Sequence, residues 1–276
     1  KDPLFIREGA SMVPTPFSRN MIADVRQALQ ILEVNLYENR NFDPAHTRRN
    51  FMVGFWELME SMVLPALART LSRAAPEISV TSLRVKRREI EAELSSGALD
   101  LALDVPINMT ESIRHKPLFS DRVVVVARQG HPALGHELDL ETYLSQDHIL
   151  VSSRRYGPSL VDAELNRKGK KRVIAMRCQN YFAACRVVSE TDMLLTMPEH
   201  YAEMLNARFE NRLHSFPLKS LQSLDIHMYW HESADNDPPN RWLREEIMRI
   251  ADESINTADA PPVKRPKKKP NQRATR

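Results

Sequence analysis

A chain of 276 residues has room for two lobes of about 100 residues each plus further segments, and its 42% of apolar residues supports a buried core. No apolar run approaches the length of a membrane span, and the charged opening Lys1–Gly9 lacks the apolar stretch of a secretory signal. The formal charge of +3 is unevenly spread: residues 255–276 carry seven Lys or Arg against Asp259, a surplus of +6 that leaves the body at −3.

The opening residues suggest two short strands with a turn near Glu8-Gly9. Such a ribbon is not stable alone in water, so a further segment is expected to precede residue 1. Thr15-Pro16 is a helix start, with a capping side chain followed by Pro at the first position. The helix expected over 16–40 places Met21, Val25, Leu29, Leu32 and Leu36 three or four residues apart, a narrow apolar seam suited to dimerisation. Strands and helices then alternate. Strands are expected at Phe51–Phe55, Glu77–Val85, Leu99–Val105, Arg122–Ala127, His148–Ser152, Arg172–Arg177, Met193–Met197, Leu213–Pro217 and Leu224–Trp230. Helices are expected at Glu57–Ala75, where Pro65 should introduce a kink, and at Arg88–Ser96, closed by Gly97. Others fall at Leu140–Leu144, Leu160–Lys168, Tyr181–Ser189, Glu199–Ala207 and Pro239–Ala251. This alternation predicts an α/β fold with mostly parallel sheets, and the number of strands favours two lobes over one small sheet. The Pro-rich basic stretch 255–276 has too little apolar surface to offset its ordering entropy and is expected to be disordered.

Several short segments in order resemble the LysR-type transcription regulators. Phe5-Ile-Arg7 and Met12-Val-Pro-Thr15 resemble the wing and exit of that family's winged helix-turn-helix, so residues 1–15 would be a remnant of it. Phe42-Asp-Pro44 with Arg49-Asn-Phe51 resembles the entry to the effector domain. Leu64-Pro65, Ala75-Pro76, Gly97-Ala-Leu-Asp-Leu101, His131-Pro132, Ser189-Glu-Thr-Asp-Met193 and Met197-Pro198 continue the pattern. Trp230-His231 and Trp242-Leu-Arg244 are similar to the branch of nodulation and aromatic-degradation regulators. The resemblance implies two Rossmann-like lobes joined by two crossing strands, like type 2 periplasmic binding proteins. Lobe I would comprise 46–120 plus 224–252, lobe II 121–223, and the crossings would fall near Ser120–Val124 and Ser223–Ile226. It also implies a small-molecule co-inducer, with aromatic compounds in view, a homodimer or homotetramer, and DNA reading by helices expected before residue 1, while the count of two cysteines fits a cytoplasmic location.

Ligands of open α/β sheets bind beyond the carboxyl ends of the strands, where helix N-termini suit anions. Applied to this order of elements, lobe I offers Phe55, Trp56 and Glu57, then Asp104, Val105 and Pro106. Lobe II offers Ser152, Ser153 and Arg154, then Gln179, Asn180, Tyr181 and Thr196, with Arg122 near the crossover. Phe55-Trp56 stands where the family commonly has a Ser or Thr, which points to an apolar, stacking contact. Packing between helix and sheet, a solvated loop and a plain helix cap are the bland alternatives for Phe55-Trp56, Arg154 and Asn180 respectively. A solute-binding protein for transport shares such an architecture, but the seam at 21–36 argues against it. An enzyme is not expected: His227 and His231 lack further metal ligands of recognisable spacing, Cys178 has no evident activating base, and Cys185 reads as a core residue. No catalytic residue, metal or cofactor is assigned. The two cysteines give no disulfide framework, and the basic end is a candidate for phosphate contacts.

Overall fold

The computed structural model describes residues 3–40, 42–152, 156–221 and 223–258. Within those spans the side chains at 23, 30–40, 57 and 254–258 lie outside the described set. Strands β1 (Phe5–Glu8) and β2 (Ser11–Pro14) form an antiparallel ribbon turning at Gly9, whose φ of 62° suits glycine. The Thr15 hydroxyl accepts from the Ser18 amide at 3.2 Å and so caps α1 (Pro16–Arg40).

In lobe I, β3 (Arg49–Phe55), α2 (Glu57–Ala74), β4 (Ile78–Leu83), α3 (Arg87–Ser96) and β5 (Leu101–Asp104) follow in turn. Their strands form a parallel set in the order β4-β3-β5. Gly97, at φ 74°, takes the left-handed position that ends α3. β6 (Ile113–Ala127) then runs through both halves of the molecule. Lobe II continues with α4 (Leu140–Ser145), β7 (Asp147–Val151), α5 (Leu160–Arg167), β8 (Val173–Cys178), α6 (Tyr181–Glu190), β9 (Leu194–Pro198), α7 (Glu199–Asn206) and β10 (Arg212–Ser215). Here β9-β7-β8 is the parallel set. The chain returns through β11 (Ser223–His231) and closes with α8 (Pro238–Ala258). The crossing strands join both sets antiparallel, β11 against β5 and β6, and β6 against β9 and β10. β6 exchanges partners between Arg122, paired with Ser223 of β11, and Val123, paired with Pro198 of β9.

Two boundaries differ from the sequence reading by more than two residues. β6 begins at Ile113 rather than at Arg122; its first half, Arg114-His-Lys-Pro117, is exposed and lacks the β-branched run that marks the second. α8 reaches Ala258, so residues 255–258 are helical, while the rest of the expected tail, 259–276, lies outside the described residues.

The core lies between the helices and these sheets. Leu58, Met59, Val63 and Leu67 of α2 and Leu243, Ile247 and Ile250 of α8 are at most 2% exposed, at the spacing of one helix face. Each such side chain contributes about 1.5–3 kcal/mol of burial. The Trp230 and Arg244 motifs lock α8 to β11. The Trp230 indole donates to Asp235, the Arg244 guanidinium lies 4.4 Å from the Trp230 ring centroid, and its Nη2 donates to the carbonyls of Ala234 and Asp235.

His148 on β7 is fully buried beside Tyr143 and forms a 2.8 Å Nε2 hydrogen bond with the Tyr143 carbonyl. Burial, with the nearby Arg172 charge, pushes its imidazole down to about 4. The unfolded chain then takes up a proton near pH 6.5 that the folded chain refuses until about pH 4. Stability from this group is full above pH 6.5 and falls by up to about 3 kcal/mol as pH drops through that window. Urea titrations between pH 7.5 and 4 are expected to show a shallower pH dependence for His148→Phe than for the parent.

Candidate functional site

A cavity of about 870 Å³ opens between the lobes. It lies at the carboxyl ends of β3, β4 and β5 on one side and of β7 and β9 on the other, the position expected for an α/β crevice. Gly54, near the end of β3, lines it, and a side chain there would have little room: a Cβ would sit 3.2 Å from Leu99 Cδ1 and 3.5 Å from Ala102 Cβ.

The lobe I wall is built from Phe55, Trp56 and Asp104 together with the basic run Arg84 to Arg88. Trp56 is the N-cap residue of α2 and caps it with no side-chain hydrogen bond, leaving the indole half-buried at the cavity. Asp104, with its side chain 8% exposed, is held by Arg87 through two hydrogen bonds, Nε to Oδ2 and Nη2 to Oδ1, both 2.8 Å. It also accepts from the Val105 amide at 2.7 Å.

The lobe II wall centres on Arg172, whose side chain is only 2% exposed. Its Nε donates to Asp162 at 2.7 Å, its Nη1 to the Tyr143 hydroxyl at 2.8 Å and to Thr196 Oγ1 at 3.3 Å, and its Nη2 to Ser159 Oγ at 3.3 Å. Tyr143 and Thr196 are hydrogen-bonded to each other at 2.8 Å. Burial alone would raise the Asp162 carboxyl, but the Arg172 guanidinium and the Ser159 amide and hydroxyl hold it below the usual carboxylate range. Burial pushes the Tyr143 phenol up, so it keeps its proton while accepting from Arg172. Ser159 and Asp162 also form the capping box of α5, so one cluster both starts that helix and seats the arginine.

Of the residues singled out from sequence, Phe55, Trp56, Asp104, Ser152, Tyr181 and Thr196 line the cavity. Five others do not. Val105 is buried in the core at 4% exposure, and Pro106 is exposed beyond the strand end. Arg122 points to solvent and pairs with Glu199. Gln179 is exposed, and Asn180 is spent as the cap of α6, accepting from the Ala183 amide at 2.8 Å. Ser153 and Arg154 lie outside the described residues, as does the side chain of Glu57. Sequence reasoning missed Arg172, which stands one residue before β8, and the run Arg84–Arg88. The run offered a signal in its four cations within five positions.

Among the described residues no group of three or more His, Cys, Asp or Glu is placed to hold a metal ion. No helix among them is long and apolar enough to cross a membrane. Cys185, expected in the core, is 1% exposed, and burial pushes its thiol up to about 12.

Residues 45–251 match the model of the LysR substrate binding domain. The chain belongs to the LysR family of transcription regulators, and this part of it is the effector-binding domain. The transcriptional activator NagR of a Ralstonia species is 29% identical over 92% of this chain and 84% of its own length. Nodulation protein D 3 of Rhizobium leguminosarum is 25% identical over 91% of this chain and 83% of its own. The crystal structure of the probable transcriptional regulator PA0477 from Pseudomonas aeruginosa superposes with a TM-score of 0.71 at 30% identity, covering 88% of this chain and 80% of that one. LysR regulators bind small-molecule effectors and DNA and are typically oligomeric, and the relatives are regulators rather than enzymes.

Proposed function

We propose that a small-molecule co-inducer binds in the cavity between the lobes and that its binding biases their relative angle. The observation that carries this reading is the placing of Trp56 from lobe I and of Tyr181 and Thr196 from lobe II around one opening of about 870 Å³, within the usual range of ligand sites. A ligand touching both walls favours a closed arrangement only by as much as it binds that arrangement better. The hinge would be the stretch where β6 leaves β11 for β9, at Arg122-Val123. In a dimer or tetramer, a change of lobe angle becomes a change in the spacing of DNA-reading units. Effector identity is read as aromatic because an indole, rather than a hydroxyl, stands at the start of α2.

Oligomerisation would use α1, on which Met21, Val25 and Leu29 are 37%, 43% and 53% exposed along one seam. Leu32 and Leu36 continue that seam in sequence, their side chains outside the described set. Light scattering is expected to give a dimer or tetramer, and Val25→Asp with Leu29→Asp is expected to lower the mass; an unchanged oligomer would remove α1 from the interface.

The ligand reading is tested by a thermal-shift screen of aromatic acids, flavonoid-like phenols and amino-acid metabolites. A ligand at 100 times its Kd stabilises the folded state by about 2.7 kcal/mol. Trp56→Ala is expected to weaken the active compound about tenfold or more through lost stacking and apolar contact. A shift that survives Trp56→Ala undiminished would place the ligand elsewhere.

A further inference from the structure

The cations of this cavity are not equally available. Arg172 spends its guanidinium on Asp162, Tyr143, Ser159 and Thr196, and its charge is balanced by Asp162. Arg87 is balanced by Asp104 through two hydrogen bonds. Lys86 and Arg88 share a single carboxylate, Glu89, at 3.2 and 3.3 Å. Arg84 has no acid within ion-pair distance among the described side chains. Among the described side chains the positive surplus therefore lies on the lobe I rim, between the end of β4 and the first turn of α3. An anion placed there also meets the N-terminal end of α3, whose first amides receive no side-chain cap from Lys86.

The opposite wall sets apolar side chains beside the internally paired Arg172 cluster. Leu150, Val151, Leu160 and Val161 of lobe II line it, beside Leu224 of the crossing strand β11. Leu160 is 43% exposed, a large apolar side chain left open at the cavity. At about 870 Å³ the opening stands toward the upper end of the roughly 300–1,000 Å³ typical of sites that enclose drug-sized ligands. A single-ring acid would leave most of it filled with water and most of the apolar wall wet.

Resting on the reading of this cavity as the effector site, we propose that its ligand is an amphipathic carboxylate. The anionic head lies on Arg84 and Arg88 of lobe I, and an apolar body longer than one benzene ring covers Leu160 and Val161 of lobe II and Leu224 of the crossing strand β11. Such a ligand touches each lobe with a different chemistry, so neither end alone closes the cleft. Head binding is predominantly electrostatic and weakens with salt, whereas body binding follows the apolar area covered.

The test is calorimetric titration of the whole chain with benzoate, 2-naphthoate, methyl 2-naphthoate and dodecanoate. The last arm separates an aliphatic body from a fused aromatic one. At least one of 2-naphthoate and dodecanoate is expected to bind tenfold or more tightly than benzoate. If that acid is 2-naphthoate, its methyl ester should bind tenfold or more weakly; if dodecanoate, methyl dodecanoate takes the same role. Both arginines are exposed, so Arg84→Ser with Arg88→Ser should keep the fold; the double variant is expected to lose tenfold or more affinity for the acid and little for the ester. Leu160→Asp should weaken acid and ester alike. An ester that equals its acid, a double variant that binds unchanged, or a series in which no acid binds would overturn the proposal. A neutral ligand whose binding depends on Trp56 would leave the effector site standing and remove only the anionic head. An acid that binds regardless of Trp56, Arg84 and Arg88 would remove the site itself.

Discussion

Arg172→Met is expected to destabilise the folded chain by about 3–5 kcal/mol, the cost of breaking a buried charge pair from one side. The arginine side chain is 2% exposed and Asp162 16% exposed, so the carboxylate left behind has little water to replace the guanidinium charge and the hydrogen bond it accepts. The Tyr143 hydroxyl and Thr196 lose a donor in the same step. Arg249→Met provides the contrast. Arg249 also has several partners, Glu246, Glu253 and Thr70, but is 48% exposed. Exposed pairs are worth about 0.2–1 kcal/mol, so burial rather than the number of bonds decides the cost. Urea unfolding of the two variants measures the difference directly. Equal shifts would mean that the Arg172 cluster is far better hydrated than its geometry indicates.

Asp104→Ala is expected to pull stability and ligand affinity in opposite directions. The carboxylate is 8% exposed and its partner Arg87 is 41% exposed, so the abandoned guanidinium can turn to water. The loss is therefore smaller than for Arg172, about 1–3 kcal/mol, including the accepted Val105 amide hydrogen bond. Removing the acid also leaves Arg87 uncompensated at the cavity wall. Carboxylate ligands are expected to bind several-fold more tightly to Asp104→Ala and neutral analogues unchanged, with the gain shrinking as salt is raised. Paired unfolding and titration experiments check both halves. An acid that binds Asp104→Ala more weakly than the parent would show that Asp104 itself contacts the ligand.

The succession of strands and helices was legible in the sequence because its signals are local. The β-branched run Val123–Val126, the cap Thr15, the stop Gly97 and the period of α2 and α8 each act within a few residues. What failed to show was long-range in cause: Arg114-His-Lys-Pro117 looks like a loop, and it becomes a strand only because β11, more than 100 residues later, pairs with it. Within the site, residues at strand ends were found because topology alone puts them there, as with Phe55, Trp56, Asp104 and Thr196. Arg172 was not found because its partners lie 10 to 29 residues away, across three elements, and nothing beside it in sequence announces them. The run Arg84–Arg88 was passed over because charge runs usually form solvated faces. Here the turn after β4 folds it toward the crevice. Asn180 shows the reverse error, a polar residue at the right end of the right strand whose side chain is used up by its own helix.

The central claim is that one ligand bridges two walls drawn from separate lobes, and amide hydrogen exchange read with and without a bound carboxylate tests it most directly. Protection is expected to rise in two distant stretches at once, residues 84–90 with 103–105 of lobe I and residues 150–152 with 159–161 of lobe II, along with the hinge at 121–124. Protection confined to a single lobe, or appearing only on α1 or the outer helices, would contradict it.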